Sequence, residues 1–183
     1  MREGILALVL VAGSGGSAVA QQAEPEISGQ FLSLSVMPSL THANMVLHVG
    51  LRERPPEKVG RLPDASLIWF AADFSGADPG DTKRRWTDGR RCPAAVPVLQ
   101  RVEMLSGPSP RIPLEGGRPW GGSVLDGTWY TLNVQMGVLG DQSVGPVRIE
   151  SNVGTDLARW AHDLTQALKP CWSDVMPMGV SVK

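Results

Sequence analysis

Histidine, cysteine and net charge are all in short supply in this chain, and each shortage removes a class of function. There are three histidines, two cysteines and a formal charge of −1 from 17 basic and 18 acidic residues. So even a balance sets up no global field to draw the protein to nucleic acid or to an acidic membrane. No G-x-S-x-G turn, S-x-x-K pair, P-loop or dinucleotide-binding glycine pattern is present, which leaves nucleophilic catalysis and nucleotide chemistry without a motif. His42 and His48 would lie roughly 20 Å apart on one strand, or diverge by about 120° on one helix. Neither spacing lets both bind one metal. His162 falls on the polar side of a C-terminal helix pattern, where a solvated side chain is expected. No metal and no other cofactor is expected. Tyrosine and phenylalanine are also few, at one and three, against six tryptophans. Tryptophan therefore serves as the general core aromatic, with Trp69 and Trp160 the leading candidates.

What is present begins with a leader. Arg2 precedes an apolar run from Gly4 to Ala12, and Ala18-Val19-Ala20 is a small-x-small cleavage site. That arrangement predicts a signal peptide over 1–20. The apolar run is only about half of the roughly 20 residues a membrane-spanning helix needs, and no later run is long enough. The mature protein is expected in a periplasm or outside the cell, with no transmembrane segment. A flexible lead over 21–27 and a single globular domain over 28–183 complete the expected organisation. Both cysteines, Cys92 and Cys171, fall in that domain. With no C-x-x-C and no adjacent histidine a metal site is poorly supported, and a single disulfide is expected.

The strand signals come in order. Leu32, Leu34 and Val36 alternate with Ser33 and Ser35 over Gln30 to Met37, and Met45, Leu47, Val49 and Leu51 alternate over 45–51. A dense apolar run over Ser66 to Ala72 reads as a central strand. Thr128 to Met136 and Val147 to Val153 alternate again and predict an antiparallel hairpin with a long loop. A short strand over Arg111 to Leu114 is a further candidate within the Gly- and Pro-rich stretch 106–127.

Two helices are expected. Ala95, Val98, Leu99, Val102 and Leu105 share one face over Pro93 to Leu105, with Pro97 expected to disturb the first turn. Leu157, Ala161, Leu164 and Leu168 share another, edged by Trp160 and Ala167, with Gly154 and Thr155 at its start and Pro170 at its stop. Cys92 precedes the first helix and Cys171 follows the second, so a bridge between them predicts antiparallel neighbours. The expected fold is α+β: an antiparallel sheet of about five strands, two amphipathic helices on one face and one disulfide.

Candidate functional residues lie in what read as polar connections. Lys83, Arg84, Arg85, Arg90 and Arg91 crowd together with Trp86 among them. Guanidinium groups beside an aromatic suit a phosphate, a carboxylate-rich polymer or an acidic protein face. Arg118 and Trp120 sit in a second loop, where Gly121 and Gly122 would let the indole project. Asp73, Asp78 and Asp81 offer oxygen ligands in a glycine-containing segment, but their spacing is not that of an EF-hand. The expected activity is non-catalytic binding to a protein or an anionic envelope polymer. The competing classes are an extracytoplasmic hydrolase using loop carboxylates and a structural component of an envelope assembly.

Overall fold

Alternating side chains build most of the sheet. The computed structural model describes residues 27–41, 43–52, 64–76, 81–105, 127–135 and 146–182. Its strands are β1 (Gln30–Pro38), β2 (Asn44–Leu51), β3 (Ile68–Ser75), β4 (Lys83–Asp88), β5 (Thr128–Val134) and β6 (Val147–Ser151). They form one six-stranded sheet in the order β4-β3-β2-β1-β5-β6, with every neighbouring pair antiparallel. The hairpin of β5 and β6 has the expected antiparallel pairing, with Leu132 opposite Ile149.

The strand beyond the expected five is β4, inside a stretch that read as a polar connection. Lys83 to Asp88 carries no apolar alternation, because Lys83, Arg85 and Thr87 on one side and Arg84, Trp86 and Asp88 on the other make neither side uniformly apolar. Asp73 is likewise not in a loop but in β3, opposite Arg84. The leader over 1–20, residues 21–26, His42, Asp78, the strand expected over 111–114 and the loop bearing Arg118 and Trp120 lie outside the described residues.

Two helices cover one sheet face. The first, α1 (Ala95–Gln100), continues as a 3₁₀ turn over Arg101–Met104. Pro97 is the third helical residue, where an amide has no intrahelical partner, so it removes no hydrogen bond. The second, α2 (Asp156–Leu168), is capped by Thr155, whose Oγ1 accepts a hydrogen bond from the Ala158 amide at 3.1 Å. Gly154 takes φ +81° just before the cap, a conformation that favours glycine. The helix buries Leu157, Trp160, Ala161, Leu164 and Leu168 against Leu32, Leu34, Leu47, Phe70 and Leu132 of the sheet. His162 is exposed.

The two helices run antiparallel. Cys92 is bonded to Cys171 with their Cα atoms 5.7 Å apart, while Trp160 Nε1 donates to the Val98 carbonyl at 2.8 Å. Contacts therefore progress in opposite directions along the two elements. Beyond Cys171 the chain crosses the outer edge of β4, where Ser173 and Trp86 exchange two backbone hydrogen bonds. It then reaches the opposite sheet face and closes a second cluster of Ile27, Trp69, Ala71, Trp86 and Val180. Ile27 bridges to Val182 and is buried. No helix among the described residues is long and apolar enough to cross a membrane.

Two stability predictions follow from this packing. A Cβ on Gly50 would stand 2.1 Å from the Trp69 ring, whereas one on Gly76 meets nothing within 4 Å. Gly50→Ala should cost about 1–3 kcal/mol by overpacking, and Gly76→Ala should cost roughly 0.5 kcal/mol or less; urea midpoints compare them. The bridge spans 79 positions, so Cys92→Ser/Cys171→Ser should lower stability by about 4–5 kcal/mol in the chain-entropy model, measured the same way.

Candidate functional site

The pleat of β4 divides the basic residues between two environments. Successive strand residues point to opposite faces, so Lys83 and Arg85 emerge on the helix side and Arg84 and Trp86 on the other. Arg90 and Arg91 follow in the turn with exposed side chains. Their amides donate to Asp88 Oδ1 at 3.0 and 2.9 Å, and Asp88 also pairs with Arg52. Burial alone would raise the Asp88 carboxyl. The Arg91 amide and the Arg52 guanidinium outweigh that and hold it below the ordinary aspartate value. Asp88 thereby fixes the turn that delivers Cys92 to its bridge.

Trp86 does not project from the strand. It is 6 % exposed, packs against Trp69 with ring centroids 6.3 Å apart, and has the Arg84 guanidinium 5.9 Å from its own centroid. Arg84 is also engaged. Its Nε and Nη2 donate to the two Asp73 oxygens at 2.6 and 2.5 Å, a fork on a carboxylate. On the next strand, His48 Nε2 lies 3.4 Å from Asp73 Oδ2. Burial would raise the Asp73 carboxyl, but hydrogen bonding to Arg84, with His48 and both neighbours' charge adding to it, brings it down to about 2. Such an acid stays ionised and is a poor proton donor. Ser33 stands opposite His48 in the ladder, yet its Oγ accepts from Asn133 Nδ2 at 3.3 Å, and neither imidazole nitrogen has an aligned hydrogen-bond partner among the described residues. The group of Ser33, His48, Asp73 and Arg84 thus lacks, among the described residues, the serine–histidine hydrogen bond of a nucleophile relay.

The helix side of β4 is different. A groove of about 610 Å³ lies between β2, β3 and β4 and the last turn of α2. Met45, Leu47 and Phe74 form its floor, Leu168 lines the α2 side, and Trp172 lines it next to Phe74. The Phe74 and Trp172 rings meet edge to face with centroids 6.1 Å apart. Lys83 and Arg85 enter from β4, and Lys169 enters from just beyond α2. No carboxylate lines this space among the described residues. Arg85 has a loose contact with Asp174, 3.7 Å away and itself 87 % exposed, which solvent screens. An apolar floor carrying three cations can hold an anion and an apolar group together.

Of the residues singled out from sequence, Lys83 and Arg85 share this groove, Arg84 and Trp86 lie on the opposite face, and Arg90 and Arg91 lie in the following turn. Lys169 and Trp172 complete the groove and are not among the residues singled out from sequence. The signal for them was indirect: Cys92 closely follows the basic strand, and its partner Cys171 carries Lys169 and Trp172 on either side. Among the described residues, no group of three or more His, Cys, Asp or Glu is placed to hold a metal ion. No protein-family model, no curated protein and no solved structure matches the chain.

The depressed Asp73 carboxyl has a consequence for acid stability. Its ordinary value is 3.8 and its folded value about 2. The unfolded chain therefore binds the proton first as pH falls, and the stabilisation is complete above about pH 4–5 and lost towards pH 2. Asp73→Asn should be less stable than the natural protein at pH 6, by on the order of 2 kcal/mol. The gap should narrow steadily between pH 4 and pH 2, as read from urea midpoints across that range. A gap independent of pH would contradict the assignment.

Proposed function

We propose that the protein is an exported, disulfide-stapled binding domain acting in a periplasm or outside the cell. Its partner presents an acidic group to the groove rimmed by Lys83, Arg85 and Lys169. One observation carries this reading: three cations of one sign converge on an apolar floor, with no carboxylate among the described lining residues. Isolated surface cations contribute little, because water screens them and their side chains must be ordered. Cations held over an apolar floor act where the ligand itself excludes water, which strengthens each contact. The leader and the bridge support the export half of the proposal, since structural disulfides persist in oxidising compartments. Asp73 and Asp88 are both held ionised by basic partners, the opposite of the raised carboxyl that a glycoside-hydrolase acid needs.

The test is binding of fluorescent polyglutamate at low salt, followed by anisotropy. Lys83→Glu/Lys169→Glu should weaken binding at least ten-fold. Arg148→Glu/Arg159→Glu makes the same change in net charge at exposed ion pairs on β6 and on the first half of α2, and should weaken it far less. Equal losses in the two double variants would mean that net charge alone governs binding and would overturn the groove as the site.

A further inference from the structure

We infer that the groove takes an amphiphilic anion: a small molecule with one compact negatively charged head and an extended apolar body. This rests on the reading of the groove as the binding surface and narrows its ligand. The volume, about 610 Å³, falls within the roughly 300–1,000 Å³ typical of small-molecule sites. It is well above what a bare carboxylate or phosphate fills. The lining is divided as such a ligand is divided. Met45, Phe74 and Trp172, all partly buried, offer apolar and aromatic surface above the buried Leu47 and Leu168, and Lys83, Arg85 and Lys169 offer charge.

The ladder shows how these two parts adjoin. Met45, Phe74 and Lys83 stand opposite one another in one cross-strand row, and Leu47, Ala72 and Arg85 in the next. Each cation on β4 therefore ends a row of apolar side chains running in from β2 and β3. A chain lying along such a row brings its head to the cation at the row's end. In the second row Leu47 and Ala72 are fully buried, so the row of Met45, Phe74 and Lys83, whose members are partly buried or exposed, is the one a ligand can lie along. Lys169, carried from the other wall, shares the groove with neither Asp nor Glu among the described residues. A free inorganic anion would leave the floor wet, and a neutral hydrocarbon would leave the cations unmatched. A cationic amphiphile would meet repulsion at every rim position.

The probes are dodecanoate, dodecyltrimethylammonium and inorganic phosphate, each titrated calorimetrically into the full protein below micelle-forming concentrations. Saturable one-to-one binding of dodecanoate is expected, at least ten-fold tighter than that of either other probe. Lys83→Gln/Lys169→Gln should weaken dodecanoate binding ten-fold or more. Met45→Trp, which fills the floor and leaves the cations in place, should weaken dodecanoate but not phosphate. Circular dichroism and urea midpoints identify the variants that fold, and either variant alone suffices for the test. Equal affinity for the cationic amphiphile, or phosphate binding as tight as dodecanoate, would overturn the inference. If polyglutamate binds through Lys83 and Lys169 while dodecanoate does not bind, the amphiphile is wrong and the groove stands as a docking site for an acidic chain. If neither binds, both readings fail.

Discussion

The bond between Cys92 and Cys171 decides where most of the distinctive features fall. Cys92 ends the turn after β4, a turn held by Asp88 through the Arg90 and Arg91 amides. Cys171 ends the chain segment that follows α2. Joining them brings the end of the best-formed helix to the edge strand of the sheet. Residues on either side of Cys171 then have few places to go. Lys169 and Trp172 face the helix side of β2, β3 and β4, where the groove opens. Ser173 meets the free edge of β4 and covers part of it, which blunts an edge that would otherwise present unpaired backbone groups. The tail beyond it passes to the far face and seals Trp69 and Trp86.

That far face depends on small residues placed under large ones. Trp69 reaches across Gly50, where any β-carbon would collide with its ring. Ala71, beside it in the ladder of β3, leaves room for Trp86 on one side and His48 on the other. The polar groups on this face are arranged by the same ladder. Asp73 and Arg84 are direct cross-strand partners, and opposite charges in that position attract at short range. Their fork, the cation–π contact of Arg84 and the proximity of His48 make a tied network and not a free charged surface. The same strand that exposes Lys83 and Arg85 on the helix side therefore spends its alternate residues on internal structure.

Legibility in the sequence follows the source of each pattern. β1, β2, β5 and β6 show alternation because one face of each is apolar and the other polar. α2 shows its whole design, from Thr155 to Pro170, because cap, stripe and stop are local features. The disulfide was readable because two cysteines in one chain have a single possible intramolecular pairing. β4 was hidden for a physical reason. Its helix side carries Lys83, Arg85 and Thr87, its far side carries Arg84, Trp86 and Asp88, and neither side is uniformly apolar. A strand whose two faces are both mixed looks like a connection. The groove shared that concealment, because half of it belongs to β4 and half to residues near Cys171. Only the bridge links the two in space, and nothing local in either stretch signals the other. His48 and Asp73 were unreadable as partners because they lie on different strands, and cross-strand register is not a sequence-local quantity.

Clustering of charge in sequence is therefore a poor guide to charge on a surface here. Arg84 and Arg85 are consecutive, yet one is bound to the half-buried Asp73 carboxylate and the other opens on a groove. A helix would spread the same residues around its circumference and a loop would leave them together; a strand separates them by parity. Lys169, distant in sequence, is brought to the groove with Lys83 and Arg85, while Arg84 is not. The cationic rim is a product of two elements meeting, β4 and the end of α2, each followed within a few residues by one cysteine of the bridge. Any ligand that recognises this rim reads the tertiary fold and not the basic segment, so a peptide copied from 83–91 would lack the site.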